Sequence, residues 1–299
     1  MDKNIIEIAE LNSKILNDAD SYIKKCENAY KIQMEKIVSF VKLNEEIKFI
    51  LLAGPSSSGK TTTAKLLREN LENNGFNAKT ISLDDFFVER DNTPLWEDGT
   101  KNYESVDAID WKLFDKCMHN LLTTKKTIMP TYDFVTGSKS FNTSLELNDK
   151  DIIIIEGLHS LNPIIDNFIS TNLSLKIYLA PIVEYLKNGE TVMNGTELRF
   201  FRRLIRDVYT RGSTPQRTLE EWKGVLLGEE LYIDPYKNTA NFTINSSHPY
   251  EICIYKYCLK ALNMSNYPSL CDKLKPFESV VILDKKLMPS DSLLQEFVH

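Results

Sequence analysis

The sequence predicts a three-layer α/β fold built on a mainly parallel sheet. Three observations predict it. Short apolar runs of strand length alternate with longer segments of helical period, the pattern of strands joined by crossover helices. One run, "DIIIIE" (151–156), is so uniformly apolar that both of its faces must be covered. And "GPSSSGKTT" stands between an apolar run and a helical one, where small residues add little to a core and glycine costs backbone entropy.

The elements follow in order. Residues 4–42 place apolar side chains at Ile8, Leu11, Ile15, Ala19, Tyr22, Cys26, Tyr30, Ile37 and Val41, mostly three or four apart. That spacing predicts one or two amphipathic helices, an N-terminal helical extension over 1–46 ahead of a main domain over 47–299. "KFILLA" (48–53) is the first buried strand. Residues 61–73 form a helix stopped by Gly75. "AKTISL" (78–83) is the second strand, and 107–122 a helix with Asp107 as its N-cap. "PTYDFVTGSKSF" (130–141) carries turn chemistry at Gly137 and reads as a hairpin or a loop. "DIIIIE", "LSLKIYLA" (173–180), "NFTI" (241–244) and the late "SVVILD" (279–284) complete the strands.

Composition limits the function classes. Hydrophobic residues make up 42 % of the 299, enough to bury a sizeable core and too many for a disordered chain. A formal charge of −6, from 36 basic and 42 acidic residues, argues against a general binder of nucleic acid or anionic membranes. No apolar run nears the roughly 18 residues of a membrane helix, and "MDKNIIEIAELNSK" lacks the pattern of a signal peptide. Cys26, Cys117, Cys253, Cys258 and Cys271 form no Cys-x-x-Cys pair, so reduced thiols in a cytoplasmic protein are expected.

Gly54 to Thr61 fits G-x-x-x-x-G-K-[ST] at every fixed position, with a strand before and a helix after. Such a loop turns successive N–H groups inward as an anion nest, and the helix adds its positive end. Gly54, Ser56, Ser57, Ser58, Gly59, Lys60, Thr61 and Thr62 are the expected phosphate-binding set. Lys60 supplies a point charge to the β- and γ-phosphates, and the Thr61 hydroxyl a ligand to Mg²⁺. ATP, or another nucleoside triphosphate, and magnesium are the implied ligands.

Acidic residues at strand ends are the expected partners. Glu156 ends "DIIIIE", where a magnesium-side carboxylate belongs. Asp84 and Asp85 follow the second strand, facing the crevice at the carboxyl ends of a parallel sheet. Asp84, the first of the two, is the candidate to take a proton from an attacking hydroxyl or to hold a magnesium-bound water. Asp85 is a turn residue or a helix cap. His159, in "EGLHSL", is either a substrate contact or a structural histidine; His119, His248 and His299 have no supporting context. In "TELRFFRRLIRDVYTRGS", helical spacing puts Arg199, Arg203 and Arg206 on one face and Phe201, Leu204, Ile205 and Val208 on another. Like charges so placed repel unless anionic groups face them. A lid over about 194–228 closing on phosphates meets that need, with Arg202 and Arg211 flanking the stripe. The alternative is a surface helix paired with Glu197 and Asp207.

In their order, "GPSSSGKTT", "SLDDFF", "YESVDAID", "PTYDFVTGSKS", "IIIIEGLHSLN" and "RRLIRDVYTRG" resemble the uridine kinase family, within the uridine kinase/phosphoribulokinase group of P-loop kinases. The resemblance spans roughly residues 48–245, and the tail looks like a variant bacterial branch. It implies a three-layer P-loop kinase fold with an arginine-bearing lid helix, and transfer of the γ-phosphoryl of ATP to a nucleoside 5′-hydroxyl. Asp84 matches the carboxylate that accepts the hydroxyl proton, and Phe87 stands where a pocket tyrosine is frequent. Glu104 falls where an aspartate holds the ribose hydroxyls. Tyr132 and Phe134 match aromatic residues of the nucleoside pocket, Glu156 the magnesium-side acid, and Arg203, Arg206 and Arg211 the lid arginines. Two departures stand out. Gly137 replaces a histidine that helps read the pyrimidine edge, with Lys139 near an arginine position. Ser213 stands where an arginine is usual, with Arg217 nearby to compensate.

The expected partner is thus a small-molecule nucleoside, with no nucleic acid or membrane, in a chain that could form a homo-oligomer. The alternatives are the same chemistry on another small alcohol, such as pantothenate or a sugar phosphate, and a nucleotide-hydrolysing switch or assembly ATPase. The sequence has no Asn-Lys-x-Asp guanine-reading motif.

Overall fold

The computed structural model describes residues 3–262 and 267–298, so His299 and the first two residues of the expected extension lie outside the described residues. In chain order, β1 (Asn4–Glu7) leads into α1 (Ile8–Leu43), followed by β2 (Phe49–Ala53), α2 (Lys60–Asn73) and β3 (Ala78–Ser82). Next come α3 (Trp111–Thr124), the strands β4 (Lys126–Asp133) and β5 (Ser138–Glu146), then β6 (Ile152–Glu156) and β7 (Ser174–Ala180). A hairpin of β8 (Val183–Lys187) and β9 (Glu190–Asn194) precedes α4 (Gly195–Thr210) and α5 (Pro215–Tyr232). β10 (Phe242–Asn245), α6 (Glu251–Ala261) and α7 (Cys271–Glu278) complete the chain.

The main sheet has the order β10-β7-β2-β6-β3, all parallel. Strand alternation between two covered faces explains why β2 is apolar throughout and β6 is apolar up to Glu156. Ile50, Leu52, Ile152 and Ile154 enter a core shared with α1, α2, α4 and α6. Phe49, Leu51, Ile153 and Ile155 enter a second core, on the opposite face, with Phe114, Cys117 and Leu121 of α3. Register places Glu156 opposite both Leu52 and Ser82, so three strand ends converge on one crevice. That is the position where open parallel sheets bind ligands.

The structure corrects the sequence expectations at three points, the small sheet, the α3 cap and "SVVILD", and decides between one and two helical pieces in the N-terminal segment. The N-terminal segment opens with a strand, β1, which pairs in parallel with β8 in a small separate sheet completed by β9. Neither β8 nor β9 was expected. Asp18 interrupts α1 with extended backbone (φ −161°, ψ 87°), and its carboxylate accepts from the Ser21 N–H at 3.0 Å, starting a second helical piece. The cap of α3 is Asp110, which accepts from the Leu113 N–H; Asp107 sits in a preceding short turn capped by Ser105. "SVVILD" is no strand. Its Val280 and Leu283 enter the core, but the Val281 N–H is satisfied by the Asn12 side chain and the Leu283 N–H by the Cys253 carbonyl. The ambiguous "PTYDFVTGSKSF" is a hairpin, β4 against β5, turning through Gly137 at φ +74°.

Candidate active site

The phosphate loop leaves β2 at Gly54 and enters α2 at Lys60. Ser57 (φ 59°) and Gly59 (φ 97°) take left-handed backbone, the conformation from which anion-binding nests of N–H groups are built. The Ser57 and Ser58 hydroxyls are buried without partners. Arg203 Nη1 donates to Ser56 Oγ at 3.0 Å, and Arg199 Nη1 to the Ser56 carbonyl at 3.1 Å. Lys60 is nearly buried, and among the described residues its ammonium has only a long contact, 3.4 Å, to the Pro55 carbonyl. The Thr62 N–H donates to Glu296 Oε2 at 3.1 Å, so a residue from the far end of the chain rests on the loop's helix end.

Glu156 accepts from Thr61 Oγ1 at 3.1 Å and from Ser82 Oγ at 2.7 Å through the same oxygen, Oε1. Its other oxygen is buried with no partner among the described residues. Burial and the nearby Asp84 carboxylate push its pKa up to about 7. An orphaned carboxylate oxygen beside the Thr61 hydroxyl fits a divalent cation, which would satisfy the lone pairs and repay the burial. Asp84 and Asp85 separate cleanly. Asp85 Oδ1 accepts the Tyr132 N–H at 3.1 Å and so pins β4 to the turn after β3. Asp84 is left lining the cavity.

That cavity, of about 690 Å³, joins the phosphate loop to the β4–β5 hairpin. Ser56, Ser57, Lys60, Thr61, Asp84, Phe87, Glu104, Tyr132, Phe134, Arg203, Arg206 and Arg211 all line it. Asp207 gathers the arginines: it lies 3.4 Å from Arg203, 2.9 Å from Arg206 and 3.5 Å from Arg211. At the other end, Phe87, Tyr132 and Phe134 pack edge to face or tilted, 5.1–5.8 Å between centroids. The Arg211 guanidinium lies 5.1 Å from the Phe134 ring centroid, linking the arginine cluster to the aromatic end. Glu104 is 8 % exposed; Oε2 has no partner, and burial pushes its pKa up to about 7 against the pull of Arg203 and Lys60. α5 crosses it so closely that a Cβ at Gly228 would lie 2.2 Å from the Glu104 Cβ. Tyr132 is likewise buried, its hydroxyl against the Arg90 side chain.

Three expected groups stand elsewhere. His159 is 2 % exposed, outside the cavity wall, packed edge-on to Tyr232; burial lowers its pKa to about 4, so the ring is neutral. Arg199 shares a helix face with Arg203 but is buried in an ion pair with Glu229. Lys139 pairs with Asp110 at 3.1 Å, away from the cavity. Arg202 is fully buried, bound to Glu251 and to the Ser57 and Ser58 carbonyls, so it braces the loop from behind. Ser213 and Arg217 do line the cavity, the latter ion-paired with Glu221 at 2.8 Å. Arg90, Lys101, Tyr103, Glu221 and Glu296 line it too and escaped sequence reasoning. Only Tyr103 lay inside a quoted motif, "YESVDAID".

A family model described as the Phosphoribulokinase / Uridine kinase family matches residues 49–252, the stretch that contains the phosphate loop, Asp84, Glu156 and the arginine helix. The chain belongs to this family. Among its relatives, a uridine kinase from Mycoplasma genitalium is 28 % identical over 211 residues, covering 70 % of this chain and 90 % of the relative. A uridine kinase from Lactobacillus helveticus is 27 % identical over 223 residues, covering 74 % of this chain and 97 % of the relative. As a member of the phosphoribulokinase/uridine kinase family the chain has the P-loop kinase fold and is a phosphotransferase acting on a small alcohol. Among the described residues, no helix is long and apolar enough to cross a membrane.

Proposed function

We propose that this kinase transfers the γ-phosphoryl of ATP to the 5′-hydroxyl of a nucleoside. The observation that carries the reading is the cavity's two-ended chemistry around Asp84: phosphate loop on one side, aromatic rings with an orphaned carboxylate oxygen on the other. The loop amides and Lys60 hold the triphosphate. Thr61 and Glu156 would hold Mg²⁺, which supplies charge neutralisation at the β- and γ-phosphates when bound. Asp84 Oδ accepts the proton of the acceptor hydroxyl as its oxygen attacks in line. Arg203, Arg206 and Arg211, already gathered by Asp207, face the charge spread over the transferring group. Phe87, Tyr132 and Phe134 offer flat apolar contact to a base, and Glu104 an acceptor for sugar hydroxyls. The protein works as a cytoplasmic enzyme in this reading.

The test is a panel of ribonucleosides, pantothenate and phosphorylated sugars, each with ATP and Mg²⁺, read by chromatography of the products. A nucleoside 5′-monophosphate is expected. Phosphorylation of another alcohol and of no nucleoside overturns the reading. Asp84→Asn is expected to lower kcat by about 10² or more, leaving the KM for ATP nearly unchanged.

A further inference from the structure

Helix α5 carries a glycine that its own backbone does not require. Gly228 lies inside Pro215–Tyr232, is buried, and is not among the glycines with positive φ. At such a position glycine weakens a helix relative to alanine. Its surroundings account for it. A Cβ there would sit 2.2 Å from the Glu104 Cβ, 2.6 Å from its Cγ and 3.6 Å from its Cα. These atoms are the root of a side chain, which cannot swing aside as a flexible tip can. The Glu104 N–H is tied as well, donating to Asn102 Oδ1 at 3.1 Å. Backbone and Cβ of Glu104 are thus both held, while Oε2 is buried with no partner among the described residues. A helix-weakening glycine and an orphaned carboxylate oxygen meet at one contact, and neither favours the folded state.

The next residue anchors the other half of the site. Glu229 pairs with Arg199, whose Nη1 donates to the Ser56 carbonyl of the phosphate loop at 3.1 Å. Adjacent residues of α5 therefore reach the acceptor carboxylate and, through Arg199, the phosphate loop. Gly224, one turn earlier, has more room: its Cβ would lie 3.2 Å from Trp96 Nε1. We infer that Gly228 is a positioning residue of this kinase: by letting α5 rest on Glu104, it fixes the carboxylate that takes the acceptor's sugar hydroxyls at a set distance from the phosphate loop. The inference rests on the nucleoside reading above and adds to it the residue that aligns acceptor with donor. Alignment matters because a misplacement of about 1 Å can cost about 10² in rate.

The experiment measures kcat and KM for uridine and for 2′,3′-dideoxyuridine, which keeps the 5′-hydroxyl and lacks the other two (or for the same pair of whichever nucleoside the panel above favours). The proteins are wild type, Gly228→Ala, Gly224→Ala, Glu104→Asp, Glu104→Gly and the Glu104→Gly/Gly228→Ala double variant, each with a thermal melt and calorimetry with ATP and Mg²⁺. Gly228→Ala is expected to lower kcat/KM for uridine about 10- to 100-fold. Its dideoxyuridine value should stay within about threefold of wild type and its Kd for ATP within about twofold. Gly224→Ala should stay within about threefold on both acceptors. Glu104→Asp withdraws the carboxyl by one methylene on a Cβ that cannot advance, and should lose uridine kcat/KM to a similar extent. In Glu104→Gly, which lacks Cβ and carboxyl alike, adding Gly228→Ala should change kcat/KM by less than about threefold. Unchanged uridine kinetics in Gly228→Ala or in Glu104→Asp overturns the inference. An equal loss with dideoxyuridine or in Gly224→Ala, or a weaker Kd for ATP in Gly228→Ala, overturns it too, because each marks a general disturbance of α5. If Gly228→Ala does not fold, the double variant should regain a cooperative melt; one that stays unfolded overturns the inference, and Glu104→Asp supplies the kinetic test. All these outcomes leave the nucleoside reading standing. A wild type that phosphorylates no nucleoside overturns that reading, and this inference with it.

Discussion

Single side chains divide into those whose chemistry a motif announces and those whose surroundings decide. Lys60, Thr61 and Asp84 were legible because fixed spacing from a strand end puts them in the crevice, and the cavity contains all three. Asp85 and His159 were ambiguous in sequence because a polar residue after a strand can face either way. The structure turns Asp85 to a backbone amide and buries His159. Glu104 shows what burial does to a legible residue. Its carboxyl titrates near 4.5 in the unfolded chain and at about 7 in the fold. The folded state therefore holds the proton more tightly, and stability falls as pH rises from 4.5 to 7, then no further. Glu104→Gln removes that slope. Across the same window the unfolding free energy of the variant relative to wild type is expected to rise by on the order of 3 kcal/mol, measured by urea denaturation at a series of pH values without ligand. A pH-independent difference would show that Glu104 stays ionised in the fold.

At the scale of elements, the strands with apolar runs and the hairpin with turn residues were readable, because local pattern fixed them. What escaped was non-local. The short strands β1, β8 and β9 have mixed composition and exist through each other's hydrogen bonds. "SVVILD" looked like a strand because it is apolar, and it is apolar because it fills a gap between α1 and α6. The arginine helix carried a correct face but a misleading whole: α4 buries Leu198, Phe200, Phe201, Leu204 and Ile205, which fixes it in the core. The exposed Arg211 and Gly212 follow it, and the Arg211 guanidinium is held between Asp207 and the Phe134 ring. The tail is the least legible element. Leu293 packs where a Cβ on Gly59 would lie, and Glu296 occupies the Thr62 N–H. An amide cannot serve a carboxylate and a phosphate at once, and the two anions repel. Glu296→Gln is thus expected to lower the KM for ATP by roughly three- to tenfold at low ionic strength, an advantage that shrinks as salt rises. An unchanged or higher KM would show that the tail carboxylate leaves the loop, or assists, when nucleotide binds.

Across the whole molecule, the question is whether the N-terminal segment is an attachment or part of the kinase. The sequence suggested a boundary near residue 46, because the first motif strand begins there. Packing argues for one cooperative unit. The buried face of α1, from Ile8 to Val41, belongs to the same core as Ile50 and Leu52 of β2 and Leu67 of α2. Tyr30 shares a 2.6 Å hydrogen bond with Thr63, whose hydroxyl also bonds the Gly59 carbonyl of the phosphate loop. Glu27 accepts from Tyr250 and from Ser292, joining α1 to the residues just before α6 and to the tail that holds Glu296. Each large apolar side chain buried on α1 is worth about 1.5–3 kcal/mol, while a domain's net stability is only about 5–15 kcal/mol. Losing that face exceeds what the remainder can spare. A truncated protein starting at residue 47 is therefore expected to lose cooperative unfolding and nucleotide binding together, as read by circular dichroism melts and by calorimetry with ATP. Tyr30→Phe keeps the packing and removes only the bond to Thr63. It is expected to cost about 1 kcal/mol and leave a single cooperative transition. A truncated chain that melts cooperatively near the wild-type temperature would show that the loop and its sheet stand without α1, and would return the segment to the status of an attachment.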